Sequence, residues 1–344
     1  MTPAAIDVVV TGVAAVTPRG DSLAEVLAAE RCAPPDGWFD PRQRLGKRGY
    51  KYLPAASQYL LAATRSALED ARDDLATVPP DTRGVAVGTN SAASALHAAM
   101  NRTVVHSSTD ELSPAFAPFF SINLFSSRLA TEHKLKGFNL TSTSPRVAAL
   151  EALETGLRAL RLGRASWLLI GATEEPLDAE EPGAARSECG AVALVLEPRQ
   201  AAERRGARVY GQLRARTAFL PPTAAAGSAG QQRAADLIRA GLRALGGAAD
   251  AAGVLVVVDD SPVGRAVAAV AGDGAERVAA GSGCLEPLLQ AAGLLTCGDR
   301  ERVLVTAAAH GNVAIALATP AGVRSGAGSA ADATSAGRLH VTVA

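Results

Sequence analysis

The chain has 344 residues, of which 48% are hydrophobic, enough to bury a large core in one domain or two fused halves. Its 34 lysines and arginines balance 34 aspartates and glutamates, so the formal net charge is zero, and nothing electrostatic points to nucleic acid or an anionic membrane as a partner. No apolar run reaches the roughly 18–20 residues of a membrane span, and Met1 to Asp7 shows no basic segment followed by an apolar one, so neither an anchor nor a signal peptide is expected.

The run Val8 to Val13, β-branched and interrupted by Gly12, predicts a buried strand. A polar loop, Thr17-Pro18-Arg19-Gly20, leads into a short helix from Ser22 to Ala29, with Asp21 or Ser22 placed to cap it. From Pro54 to Leu75 the residues Leu60, Leu61, Leu68, Ala71 and Leu75 recur at helical spacing, and Thr64 is the polar interruption of that stripe. Gly84 to Asn90 predicts a strand that ends in a small-residue turn. Leu150, Leu153, Leu157 and Leu160 share one face of a helix from Val147 to Leu162, which Gly163 stops. Strands over Trp167–Gly171 and Ala191–Leu196 come next.

From Arg205 the pattern begins again. Strand Arg208–Leu213 precedes helix Gln231–Leu245, and Val254–Val258 is a continuous apolar run that predicts a fully buried strand. Helix Leu285–Leu295 and strands Val303–Thr306 and Val313–Ala318 complete the series. Alternating strands and helices mean an α/β protein with largely parallel sheets, and the restart near residue 205 suggests two similar halves. The expected division is 1–200, 201–320 and a Gly/Ala/Ser-rich tail over 321–344, mobile through Gly337 and closing on a weak edge strand, Leu339–Val343. The cysteines at 32, 189, 284 and 297 form no C-x-x-C pair and have no histidine close by, so neither zinc nor a disulfide framework is expected; they suit a reducing cytoplasm.

Several segments, in order, resemble the β-ketoacyl synthases, condensing enzymes of the thiolase fold. They are Val8 to Gly20; Ser113-Pro114-Ala115-Phe116-Ala117-Pro118 with Asn123; Gly137-Phe138-Asn139-Leu140-Thr141; Leu160 to Ala165; Gly171-Ala172-Thr173-Glu174; Gly190 to Glu197; and Arg205 to Gly211. Together the resemblance covers about residues 6 to 320. It implies an α/β, thiolase-like five-layer αβαβα fold built from two similar halves with mixed sheets, and a dimer formed across an edge strand of the first half.

The resemblance also implies a cysteine nucleophile at the start of a buried helix, activated by the helix dipole, and two histidines that assist decarboxylation and stabilise the oxyanion. Counting from Gly137 and back from Gly163 places the nucleophile position at Arg146, whose guanidinium has no nucleophilic atom at physiological pH. Arg146 is expected to form a buried ion pair, to cap a neighbouring carbonyl, or to contact a partner or carrier. Asp259 and Asp260 stand where the first histidine should follow its strand, and Cys284 or Pro287 stands at the second position. The phenylalanine gate expected before the last strand is replaced near Ala308. No cofactor or metal is expected.

The kind of family member with this profile is the chain-length factor of type II polyketide synthases, a non-catalytic subunit paired with an active ketosynthase. The expected partners are therefore that ketosynthase and an acyl carrier protein bearing the growing chain. Arginine rather than glutamine at position 146, and the compact length, point to reducing systems that make polyenes. The expected tunnel gate and interface residues are Phe116, Phe119, Phe120, Asn123 and Leu124, with Phe125 in the same segment. Two alternatives stay open. One is an acyl-transfer enzyme whose nucleophile has moved to Ser142, Ser144 or Cys284, although the sequence shows no base suitably placed for either serine. The other is a homodimeric acyl-chain binding protein.

Overall fold

The computed structural model describes residues 6–47, 49–73, 75–114, 118, 121–247, 253–272 and 274–323. Phe116, Phe119, Phe120 and the expected edge strand Leu339–Val343 lie outside the described residues, as does all but the beginning of the expected mobile tail.

In chain order the first half comprises β1 (Val8–Val16), α1 (Leu23–Ala28), α2 (Pro41–Leu45), α3 (Ala55–Ala71), β2 (Arg83–Gly88), α4 (Ser94–His106), α5 (Leu124–His133), β3 (Asn139–Ser142), α6 (Ala148–Arg161), β4 (Trp167–Glu174), β5 (Gly190–Pro198) and α7 (Arg199–Arg204). The second comprises β6 (Gly211–Phe219), α8 (Gly227–Leu245), β7 (Gly253–Val258), α9 (Pro262–Ala271), β8 (Glu276–Ala279), α10 (Leu285–Thr296), β9 (Arg302–Ala307) and β10 (Asn312–Pro320). The hydrogen-bonded strand order is β3-β2-β4-β5-β1-β6-β10-β9-β7-β8. Read outward from the centre, β1-β5-β4-β2-β3 and β6-β10-β9-β7-β8 are the same arrangement twice. The two are joined where Val10 pairs with Gly211.

Burial follows from the apolar runs. β4 and β5 are covered on both faces, as their unbroken hydrophobic sequence requires. Helix α3 packs on one side of the first sheet and α8 and α9 on the far side of the second, while α6 and α10 lie between the sheets. Each helical layer has its own apolar cluster with the strands it covers. This is the five-layer α/β thiolase-like arrangement. Close approach depends on glycine at two places: a Cβ on Gly12 would stand 2.2 Å from the Ala67 carbonyl of α3, and one on Gly88 would stand 2.3 Å from the Ala149 nitrogen of α6.

Some expectations need correction. The strand expected at Arg208–Leu213 begins at Gly211 and runs to Phe219. It alternates buried Leu213 and Ala215 with polar Gln212, Arg214 and Arg216, so a search for continuous apolar runs stops early. The run Val254–Val258 is fully buried only from Leu255 to Val257, because β7 lies beside the short edge strand β8. Thr64, the polar break in the α3 stripe, is completely buried. Its Oγ1 donates to the Leu61 carbonyl (3.0 Å) and lies 3.1 Å from His133 Nε2, which ties α3 to α5. Burial lowers the His133 pKa to about 4, so that ring is neutral.

Candidate functional site

The strand ends of both halves converge on the turn that leads from β3 into α6. Asn90, just past β2, holds this turn. Its Nδ2 donates to the carbonyls of Thr143 (2.9 Å) and Ser144 (3.3 Å), and its Oδ1 accepts the Arg146 backbone N–H (3.1 Å). Arg146 adopts φ 61°, a left-handed conformation that costs a non-glycine residue about 1–2 kcal/mol and persists only where the surroundings over-determine it.

Those surroundings belong mostly to the second half. The Arg146 side chain is buried, and its Nη1 donates to Asp259 Oδ2 (2.8 Å) and to the Ala307 carbonyl (2.5 Å). Its Nη2 donates to the Gly281 carbonyl (3.1 Å). Asp259 follows β7, Gly281 lies just beyond β8, and Ala307 ends β9. One guanidinium therefore ties three strand ends to the start of α6, and both the ion pair and the carbonyl contact expected of Arg146 are present. A cation at a helix N-terminus opposes the helix dipole, and Asp259 offsets that charge. Burial alone would raise the Asp259 pKa, but hydrogen bonds from Ser261 and the charge of Arg146 outweigh it and hold the carboxyl below its usual range.

Behind this pair lies a cluster of buried carboxylates. Glu174, at the end of β4, accepts from the backbone N–H groups of Asn90 (2.9 Å), Ser91 (2.6 Å) and Cys284 (2.8 Å), and from the hydroxyls of Ser91 and Thr89. Glu188 Oε2 accepts from Leu285 N (2.8 Å) and Glu286 N (3.3 Å) at the start of α10. Glu188 Oε1 is buried without a hydrogen-bond partner, 4.0 Å from Arg31 Nη1. Burial first, then the nearby Glu174 and Glu286 carboxylates, push the Glu188 pKa up to about 8. Burial likewise raises Glu175 to about 7. Glu286 is paired with Arg19 at 2.8 Å.

Cys284 is the N-cap residue of α10 and completely buried. Burial, and then the Glu174 and Glu188 carboxylates, raise its thiol well above the ordinary value, so the nucleophilic thiolate is disfavoured. Pro287 is buried in the first turn of α10 and offers no titratable group. Asp260 is exposed, and its backbone carbonyl accepts from Arg265. Ser144 contributes its carbonyl to Asn90 and Ala148. The absence of a suitably placed base for the serines needs correcting: Ser142 Oγ donates to Glu151 Oε2, nine residues on and in α6. Asn123 is exposed, with its side chain bonded to Ser126 and Ser127, and Leu124 is half-buried. Phe125 is 1% exposed and belongs to the α3 core. Sequence reasoning missed Asn90 and the carboxylates Glu188 and Glu286. For Glu286 the available signal was a glutamate set inside an apolar segment, Leu285-Glu286-Pro287-Leu288-Leu289.

Residues 39–207 match the model of the β-ketoacyl synthase N-terminal domain. The match spans just under half of the chain. A 3-oxoacyl-(acyl-carrier-protein) synthase 2 of Vibrio harveyi is 24% identical over 202 residues, 51% of this chain and 49% of that protein. The chain thus spans about half the length of the curated relatives it matches. The fold extends further. The ishigamide ketosynthase/chain length factor superposes with a TM-score of 0.71 at 23% identity, covering 90% of this chain and 98% of that one. A type II polyketide synthase structure, an acyl-carrier protein in complex with its ketosynthase bound to the hexaketide, gives 0.69 at 19% identity, with coverages of 91% and 99%. A β-ketoacyl synthase from Burkholderia phymatum gives 0.65 at 16% identity, with coverages of 91% and 99%. Against this ketosynthase fold, the junction at the strand ends holds an arginine–aspartate pair and a protonated thiol. His310, the histidine next along the chain from Ala307, stands on the exposed turn between β9 and β10.

Proposed function

We propose that this chain is a non-catalytic, chain-length-factor-type subunit, a pseudoenzyme that pairs with an active ketosynthase and shapes the acyl tunnel for polyketide elongation. The observation that carries this reading is the Arg146 side chain, engaged with Asp259, Ala307 and Gly281. Acyl transfer needs a nucleophile that can ionise and a base to assist it. Arg146 is not a nucleophile, and Cys284 is buried with its proton retained. In this reading Asp259, with Asp260 beside it, and Cys284, with Pro287 near it, stand at the lost histidine positions. Residues 1–200 and 201–320 are the two thiolase-like halves, and the setting is the cytoplasm. The resemblance of Ser113–Leu129 to an interface segment supports Phe116, Phe119, Phe120, Asn123 and Leu124 as the tunnel gate and contact surface.

Edge chemistry favours pairing through β3. The two outer strands are β3, Asn139-Leu140-Thr141-Ser142, and β8, Glu276-Arg277-Val278-Ala279. Charges guard β8 against strand addition, and β3 has none. Glu276 is in addition paired with Arg302 at 2.9 Å. The same polyketide synthase would supply an acyl carrier protein as the second partner. Co-expression with a cognate ketosynthase, followed by size-exclusion chromatography, tests the reading. The expected result is a heterodimer burying more than about 2,000 Å². A stable monomer that ignores the ketosynthase overturns it.

A second reading, an enzyme with a relocated nucleophile, rests on the Ser142–Glu151 hydrogen bond. A fluorophosphonate probe that labelled Ser142 would favour it.

A further inference from the structure

We infer that Arg146 is a positioning residue for the β3 edge: through Asp259 it pins the turn after β3 to the second half and so fixes the register of the strand offered for pairing. The inference rests on the pairing role proposed above.

β3 has little else to hold it. It is four residues long and pairs with β2 on one side, from Val85–Asn139 to Gly88–Ser142, and its side chains are half-buried or exposed. Its one apolar side chain, Leu140, is half-buried against the core between the sheets. Its other side-chain attachments are polar: Asn139 Oδ1 accepts from Ser126 Oγ (2.7 Å), Thr141 Oγ1 donates to Ser126 Oγ (2.8 Å), and Ser142 is bonded to Glu151. Immediately past the strand, Asn90 holds two carbonyls and one N–H of the turn, and Arg146 makes the contacts to Asp259, Gly281 and Ala307. The left-handed backbone at Arg146 aims the side chain across the junction. A strand with a weakly specified register is prone to slip, and a slip of one residue exchanges its two faces.

The ion pair itself argues for positioning. Desolvation of two buried charges generally cancels most of their attraction, and apolar side chains of similar volume are often equally stabilising. Burying Arg146 against Asp259 therefore gains geometry more than stability. A guanidinium with three acceptors on three separate strand ends can define one position, which an apolar side chain in the same space does not do.

The test uses the full chain. Arg146→Met/Asp259→Leu replaces the pair with apolar side chains of similar size, and Arg146→Lys keeps the charge but offers one nitrogen where three acceptors wait. Val256→Ala, in the core of β7, is a control for general destabilisation. Hydrogen exchange of the isolated protein is read over residues 139–148. Both Arg146 variants are expected to exchange about tenfold faster there while the rest of the core stays protected. The control is expected to change that segment no more than its surroundings, and heterodimer formation is expected to weaken in proportion for the Arg146 variants. Unchanged exchange over 139–148 in either folded variant overturns the inference, as does a change equal to that of the control. If the unaltered chain does not pair with the ketosynthase, the proposed function fails, and the exchange result still decides whether Arg146 positions β3.

Discussion

Glu188 offers a quantitative test of the carboxylate cluster. It is fully enclosed beside Glu174 and Glu286, and its Oε1 has no hydrogen-bond partner. Its pKa of about 8 in the folded chain compares with an ordinary value of 4.5. Below pH 4.5 the carboxyl is protonated whether the chain is folded or not, so it contributes no pH dependence. Between 4.5 and about 8 the unfolded chain releases a proton that the folded chain keeps. Stability therefore falls as pH rises through that window, then levels off once both states are ionised. A gap of this size corresponds to a loss on the order of a few kcal/mol. Arg31, 4.0 Å from Glu188, opposes part of it. Glutamine is a neutral mimic of the protonated acid and can still accept from Leu285 N and Glu286 N. Glu188→Gln should therefore match the wild type near pH 5 and be more stable by a few kcal/mol at pH 9. Glu175 has the same sign of shift, but it is present in both proteins and drops out of the comparison. Urea unfolding at pH 5, 7 and 9 measures the effect. Parallel stability curves for the two proteins would refute the reasoning.

Two further predictions concern the proposed role. In the native protein iodoacetamide should alkylate exposed Cys32 and Cys297 while Cys284 is spared, and an acyl carrier thioester should leave no adduct on Cys284 or Ser144; peptide mass spectrometry reads both. Phe116→Ala, Phe119→Ala and Phe120→Ala, each paired with its ketosynthase, should give a longer product wherever the ring is a gate, whereas truncation of a purely structural ring costs about 3–5 kcal/mol and lowers yield without changing length.

The strands were legible where burial on both faces demands an unbroken apolar run, as in β4 and β5. They were not legible where only one face is covered. β6 places arginines on alternate positions, and β3 and β8 are four-residue edges with mostly half-buried or exposed side chains. α4 escaped notice because Met100 is its one buried residue, so it has no stripe to read. At the site, the sequence shows that Arg146 cannot attack a thioester. It does not show that Arg146 meets Asp259, 113 residues away, because that pairing is made by the convergence of strand ends. Glu188 and Arg31 are further apart in the chain still, and nothing local marks either as part of a buried network.

The placement of α6 and α10 between the two sheets bears on how the chain is made. α10 is apolar almost all round, with ten of its twelve residues buried, and it packs against strands from both halves. During synthesis the first half leaves the ribosome before α10 exists, so the part of its inner sheet face that α10 covers, on β4 and β5, stays wet until nearly the whole chain has emerged. Transiently exposed apolar surface is prone to premature association, and a ketosynthase arriving before α10 docks would meet an unfinished surface. Assembly of the pair should therefore follow, rather than accompany, completion of this chain.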